Sequence, residues 1–176
     1  MRRSELESAG IQVPVLATVV IGPLPGPGDW TARLERIGLD VVCTGAHEDT
    51  PDGVGALVAA VPFRPALARA GDPVALADAG ARVIVMDGVA PAGTYALRPG
   101  EGAVYPVRAD APAENANDVA REVLAAARGG MASRIWVAAP DLSDVPEEIV
   151  EAKLVAMVEG ARMARMWLAK QQSDPD

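Results

Sequence analysis

The chain has 176 residues, half of them apolar and 23% charged, with 16 basic residues against 24 acidic ones and a net charge of −8. This length suits one domain of about 150 residues or slightly more, and the composition excludes wholesale disorder. The acidic balance, with no Lys or Arg cluster beside aromatic residues, excludes nucleic acid as an expected partner.

The first residues, Met1-Arg2-Arg3, resemble a signal leader, but Glu5 and Glu7 follow and no small-residue cleavage pattern closes the next apolar run. That run, 13–21, contains Pro14 and Thr18 and falls far short of the roughly 20 residues that span a bilayer. The expectation is a cytoplasmic protein without a membrane partner, with residues 1–12 as a flexible N-terminus. Residues 15–21 form a β-branched run that reads as a buried strand, and the Gly/Pro-rich stretch from Gly22 to Gly28 reads as a stiff loop. Pro23, Pro25 and Pro27 remove the backbone N–H groups a phosphate loop would use, so a nucleotide loop is rejected here. Asp29 is placed to cap a helix over 30–37 that stops at Gly38. Residues 39–44 read as a second strand, and Thr50-Pro51-Asp52 starts a helix near 54–60, with Pro62 and Pro65 breaking any regular structure after it.

Asp72-Pro73 starts another helix, which ends at Gly80 and leads into a strand over 82–86. The stretch 89–112 is rich in Gly and Pro, with one strand at 103–107. Asn115 or Asn117 caps a helix whose apolar stripe is Val119, Val123, Leu124 and Ala127, closed by Gly129-Gly130. A strand at 135–138 precedes the last helix, where Asp144 and Glu147 have capping-box spacing and Pro146 sits in the first turn. Its core stripe is Val150, Leu154, Met157, Ala161, Ala164 and Leu168, and the helix ends near Gln171, leaving 172–176 as a flexible tail. Met163, Met166 and Trp167 lie off that stripe and suit a partner surface, for a homo-oligomer or a heteromeric contact. Four to six strands alternating with helices give a single α/β domain, 1–176, with a mainly parallel sheet. A closed eight-stranded barrel usually needs about 250 residues, so the sheet is either an incomplete barrel or open.

Four stretches carry a more specific likeness. Residues 17–25, ATVVIGPLP, resemble the first barrel strand of the catalytic domain of cobalamin-independent methionine synthase, of pattern T-V-x-G-S-x-P. Residues 38–45, GLDVVCTG, resemble that family's G-L-D-V-x-x-x-G-E, and 79–87, AGARVIVMD, its A-G-x-x-x-I-Q-I-D-E-P-A strand. Pro140-Asp141, with Val145-Pro146-Glu147-Glu148 and Ala152-Lys153-Leu154, resembles the last strand and helix. The four occur in the family's order across nearly the whole chain, with shorter segments between them.

The resemblance implies an abbreviated or incomplete TIM-type (β/α) barrel whose strand ends hold zinc, homocysteine and a methyl donor. The family's zinc ligands are a His-x-Cys pair, a Glu and a final Cys, thiolates being suited to the metal and the metal activating the substrate thiol. Here the His-x-Cys positions fall on Tyr95 and Leu97 and the final Cys on Leu142, with no matching Glu in 103–109, where Arg108 is the nearest charged residue. Pro23 stands for the family's Ser, and Ala46 and Gly88 stand for Glu, while Asp87 keeps the position that holds the substrate amino group. The chain therefore looks like a truncated pseudoenzyme, a binding or accessory protein with Gly22, Gly45 and Asp87 as its substrate-binding positions and no metal or other cofactor expected. The alternative is an S-methyltransferase of the methionine synthase type, moving a methyl group from a folate to a thiol such as homocysteine. In that case zinc would sit on Cys43, His47 and a carboxylate such as Glu48, Asp49 or Asp87, or come from a partner subunit. A bland reading stands beside it, with Cys43 in the core and 47–49 a polar turn. A third reading, outside the family, is a small open-sheet domain binding a metabolite.

Overall fold

A computed structural model describes residues 3–26, 29–100, 102–128 and 132–173. Strands and helices alternate along it. Strand β1 (Ala17–Val20) precedes helix α2 (Trp30–Ile37), β2 (Val42–Cys43) precedes α3 (Pro51–Ala60), and β3 (Ala66–Arg69) precedes α4 (Pro73–Asp78). Then come β4 (Val83–Val85), β5 (Tyr95–Leu97), β6 (Ala103–Val104), α5 (Ala116–Ala127), β7 (Trp136–Ala139) and α6 (Glu147–Ser173). Before them, within the segment expected to be flexible, α1 (Arg3–Ser8) forms and Leu6 and Ile11 are buried. Helix α6 reaches Ser173, into the stretch 172–176 read as a tail.

Capping side chains set the helix starts. Asp29 accepts from the Ala32 N–H, Thr50 Oγ1 from Gly53 (3.1 Å), Asp72 from Val74 (3.0 Å) and Asn115 from Asp118 (3.0 Å). The last of these decides between Asn115 and Asn117. At the other end of α2, Gly38 adopts φ 92°, a left-handed conformation that stops the helix without a Cβ penalty. The Gly129-Gly130 expected to close α5 lies outside the described residues.

Every strand pairing is parallel, in two sets of neighbours, β2-β3-β4-β5 and β1-β7-β6. The β1 and β2 edges meet where Val41 N–H donates to the Thr18 carbonyl at 3.1 Å. All four residues of β1, of β3 and of β7 are buried, as in a parallel sheet covered on both faces. The main core runs from β1, β2 and β7 to the inner stripe of α6, where Val150, Leu154, Met157, Ala161 and Ala164 are all inaccessible. Burying the three larger of these is worth about 1.5–3 kcal/mol each, well above any helix propensity term, so packing rather than propensity holds α6. A second cluster of Val54, Ala68, Leu76, Ala81 and Ile84 joins α3 and α4 to the sheet.

Seven strands occur among the described residues, against the four to six expected. The additional ones are β3, directly after Pro65, and β5. The Ala-Leu-Ala-Arg sequence of β3 has little strand preference of its own, and its conformation comes from pairing on both sides, with β2 and β4. No helix among the described residues is long and apolar enough to cross a membrane.

Candidate functional site

Because the strands are parallel, their carboxyl ends share one edge, the edge at which α/β proteins assemble sites. Ile21-Gly22 comes after β1 there, Cys43 ends β2, Arg69 ends β3, Met86-Asp87 comes after β4 and Pro140-Asp141 after β7. The close approach of β1 and β7 explains Gly22. A Cβ on that residue would run into the backbone of Pro140 and Asp141, with the Pro140 carbonyl carbon only 2.6 Å away. Gly45 has φ 85°, and its carbonyl accepts from Leu24 N–H at 2.9 Å, tying the loop after β2 to the loop after β1. Both glycines, expected to bind substrate, thus have backbone roles at this edge. The β1 loop is further fixed by Trp30 Nε1, which donates to the Pro25 carbonyl at 2.8 Å, and Arg33 lies 4.9 Å over the Trp30 ring.

The centre of the edge is a buried ion pair, Arg69 with Asp49. Asp49 is one of the polar-turn residues of 47–49, and its side chain is inaccessible while that of Arg69 is 7% exposed. One Asp49 oxygen accepts from the Arg69 backbone N–H at 2.8 Å and the other from Thr44 Oγ1, while Asp49 N–H donates to the Arg69 carbonyl at 3.1 Å. The guanidinium approaches the same carboxylate through Nε at 3.8 Å, an ionic contact too long for a hydrogen bond. Nη1 donates to the Ile21 carbonyl at 3.2 Å. Nε and Nη2 are buried without a hydrogen-bond partner among the described residues. Directly after Arg69 the chain turns through two left-handed residues, Ala70 (φ 56°) and Gly71 (φ 78°).

Cys43 is wholly buried beside this pair. Burial pushes its thiol above the ordinary thiol pKa, reinforced by the Asp49 charge and opposed by the Arg69 charge, by the Gly45 N–H and by a side-chain hydrogen bond with Arg69. Asp141 is held below the usual carboxylate range, first by the hydrogen bonds it accepts from Ser143 Oγ (2.7 Å) and N–H (2.9 Å), with smaller contributions from His47 and Arg69. His47, Glu48 and Asp87 are exposed. Cys43 and Asp49 therefore lie in the buried part of the edge and His47 and Asp87 on its outer surface, and among the described residues no three His, Cys, Asp or Glu side chains cluster as metal ligands. Tyr95, Leu97 and Leu142, the positions matching the zinc ligands of the resembled family, are buried in the core.

Arg69 does not stand out in the sequence, because no strand is expected where it lies. The signal available is the apolar triplet Ala66-Leu67-Ala68 ending in Arg69 and followed, after Ala70, by Gly71-Asp72-Pro73. Lys153 is a second buried cation, donating from α6 to the Pro112 carbonyl (2.9 Å) and to Glu114 (3.1 Å) and so anchoring the segment before α5. On the outer side of α6, Met166 and Trp167 are 72% and 60% exposed and Met163 is half-buried. A groove of 780 Å³ beside them is lined by Val15, Leu124, Arg165, Trp167 and Leu168 among others.

No protein-family model matches the chain, and no curated protein matches it.

Proposed function

We propose that this chain is a binding or accessory protein built on an abbreviated (β/α) barrel of the methionine synthase type, with its ligand site at the strand-carboxyl edge. The barrel reading is supported by strand neighbours that run in chain order, β6-β7-β1 on one side and β2-β3-β4-β5 on the other, with Val41, just before β2, hydrogen-bonded to Thr18 of β1. It is also supported by the Tyr95 and Trp136 rings, from strands in different sets, whose centroids lie 6.0 Å apart. The observation that carries the function is the chemistry of the edge. Its interior is a paired arginine and aspartate beside a buried thiol, a set suited to holding a ligand. The reading places the protein in the cytoplasm. It gives the exposed face of α6 to a partner, either a second copy of this chain, which sedimentation at rising concentration would reveal, or a different protein.

The direct test is incubation of the purified chain with homocysteine, a methyl folate and added zinc. No methionine is expected. Methionine formation that disappears in Cys43→Ala would overturn the proposal in favour of an active S-methyltransferase.

A further inference from the structure

We propose that a second copy of this chain covers the outer face of α6, the two helices running antiparallel about a two-fold axis between residues 164 and 165. This rests on the reading of that face as a partner surface and adds which partner it takes and in what register.

The outer stripe of α6 is Glu159, Met163, Met166 and Lys170, at the four-three-four spacing that keeps side chains on one helix face and lets helix pack on helix. Glu159, Met166 and Lys170 are exposed and Met163 is half-buried. Beyond Leu168 every described side chain of the helix is exposed, so its last turn has no cover from the rest of the chain. Earlier in the helix Glu151 pairs with Arg36, but the charges of Glu159 and Lys170 have no ion-pair partner among the described residues. They stand about 16 Å apart along the axis, with the two methionines between them.

The spacing of this stripe is the same read from either end, and its end charges are opposite. A two-fold axis sets residue i of one copy against residue j of the other and j against i. With the axis between 164 and 165, Glu159 meets Lys170 of the other copy at both ends, and Met163 meets Met166 in the middle. A parallel pair would set Glu159 on Glu159 and Lys170 on Lys170. The stripe is therefore complementary to itself in one orientation, a property that contact with an unrelated protein does not require, and this selects a second copy. The flanks agree. Trp167, 60% exposed, lies toward α5, beside the groove that Leu124 and Ala127 line, and the axis brings both indoles to that one flank, where they close over the methionines. On the α2 flank Arg162 would face its own kind, but its guanidinium is turned aside to α2, 2.7 Å from where a Gly38 Cβ would stand.

The test is sedimentation of the full chain at rising concentration and low ionic strength, where exposed charge pairs are least screened, combined with charge reversal at the two ends of the stripe. A monomer–dimer equilibrium is expected for the unaltered chain. Glu159→Lys and Lys170→Glu each turn both attractive end contacts into repulsive ones, and each is expected to weaken dimerisation at least about tenfold. Both positions are exposed, so the reversals leave the fold intact. Mixed in equal amounts, the two variants are expected to dimerise with each other, because lysines at both ends of one copy then meet glutamates at both ends of the other. Glu159→Lys combined with Lys170→Glu in one chain is expected to dimerise with itself for the same reason. A chain that stays monomeric at every concentration overturns the proposal, and so does a dimer that neither reversal weakens. Failure of the mixture and of the double variant to recover dimerisation overturns the antiparallel register. The two readings fail separately. A monomeric chain leaves the α6 face to a different protein and the binding-protein reading standing, whereas methionine formation overturns that reading whatever the oligomeric state.

Discussion

At the scale of single residues, Asp49 has the most to hold together. It neutralises Arg69, caps the Arg69 backbone N–H and accepts from Thr44, all without contact with water. Asp49→Ala would leave a buried, uncompensated guanidinium and two unsatisfied donors. Loss of about 3–5 kcal/mol in denaturant unfolding is expected, against under about 1 kcal/mol for an exposed neighbour such as Glu48→Ala. Cys43 gives a second test, through its proton. Its folded-state pKa lies above that of the unfolded thiol, about 8.5, so the native state holds the proton over a range where the unfolded chain has lost it. The stabilisation is therefore complete below the unfolded pKa and is lost as pH rises through the folded one. Stability should fall with rising alkalinity in the unaltered chain and more shallowly in Cys43→Ala, and iodoacetamide should label Cys43 only at the rate at which the protein opens.

At the scale of elements, two glycines within helices, Gly55 and Gly160, separate packing from propensity. Gly160 lies where α6 crosses α5, and a Cβ there would stand 2.8 Å from the Ala116 carbonyl oxygen and 2.6 Å from Val119 Cβ. Gly55 in α3 has nothing within 4 Å of such a Cβ. Gly55→Ala is expected to stabilise by about 0.5–1 kcal/mol, whereas Gly160→Ala is expected to destabilise by about 1–3 kcal/mol by forcing the helices apart. Thermal unfolding of the pair checks both signs. The same division governs how much of the fold is legible in the sequence. Helices α2, α3, α4 and α5 are readable because their ends carry local chemistry, in Asp29, Gly38, Thr50-Pro51, Asp72-Pro73 and Asn115. Strand β3 is not, since its four residues are extended only because β2 and β4 flank them. Legibility of the site depends on the strands. Cys43 and Asp49 lie at and just beyond the end of a recognisable strand, whereas Arg69, their partner, stands at the end of an unrecognised one. No local pattern announces an ion pair between residues 20 apart in the chain.

At the scale of the whole molecule, the parallel strands bring their carboxyl ends to one edge and α6 spans the β1 and β7 region behind it. Arg165 of α6 ties that helix to the opposite, amino-terminal end of β1, donating to the Val15 and Leu16 carbonyls (2.9 Å each) and pairing with Asp40, which also accepts from Thr18. The fold is thus braced at one end by Arg165 and Asp40, and at the other by Arg69 and Asp49. In a metal-dependent methyltransferase the strand-carboxyl end would carry thiolate and imidazole ligands. Here it carries a charge-paired arginine and a buried thiol, while His47 and Asp87 are exposed. The function proposed above requires this edge to bind its ligand without metal-assisted thiol chemistry. Its most direct test is elemental analysis of the natively purified protein, repeated after loading with zinc and dialysis against a weak chelator. The expected result is no retained zinc. Retention of about one zinc per chain, lost in Cys43→Ala, would contradict it by showing that the buried thiol serves as a metal ligand.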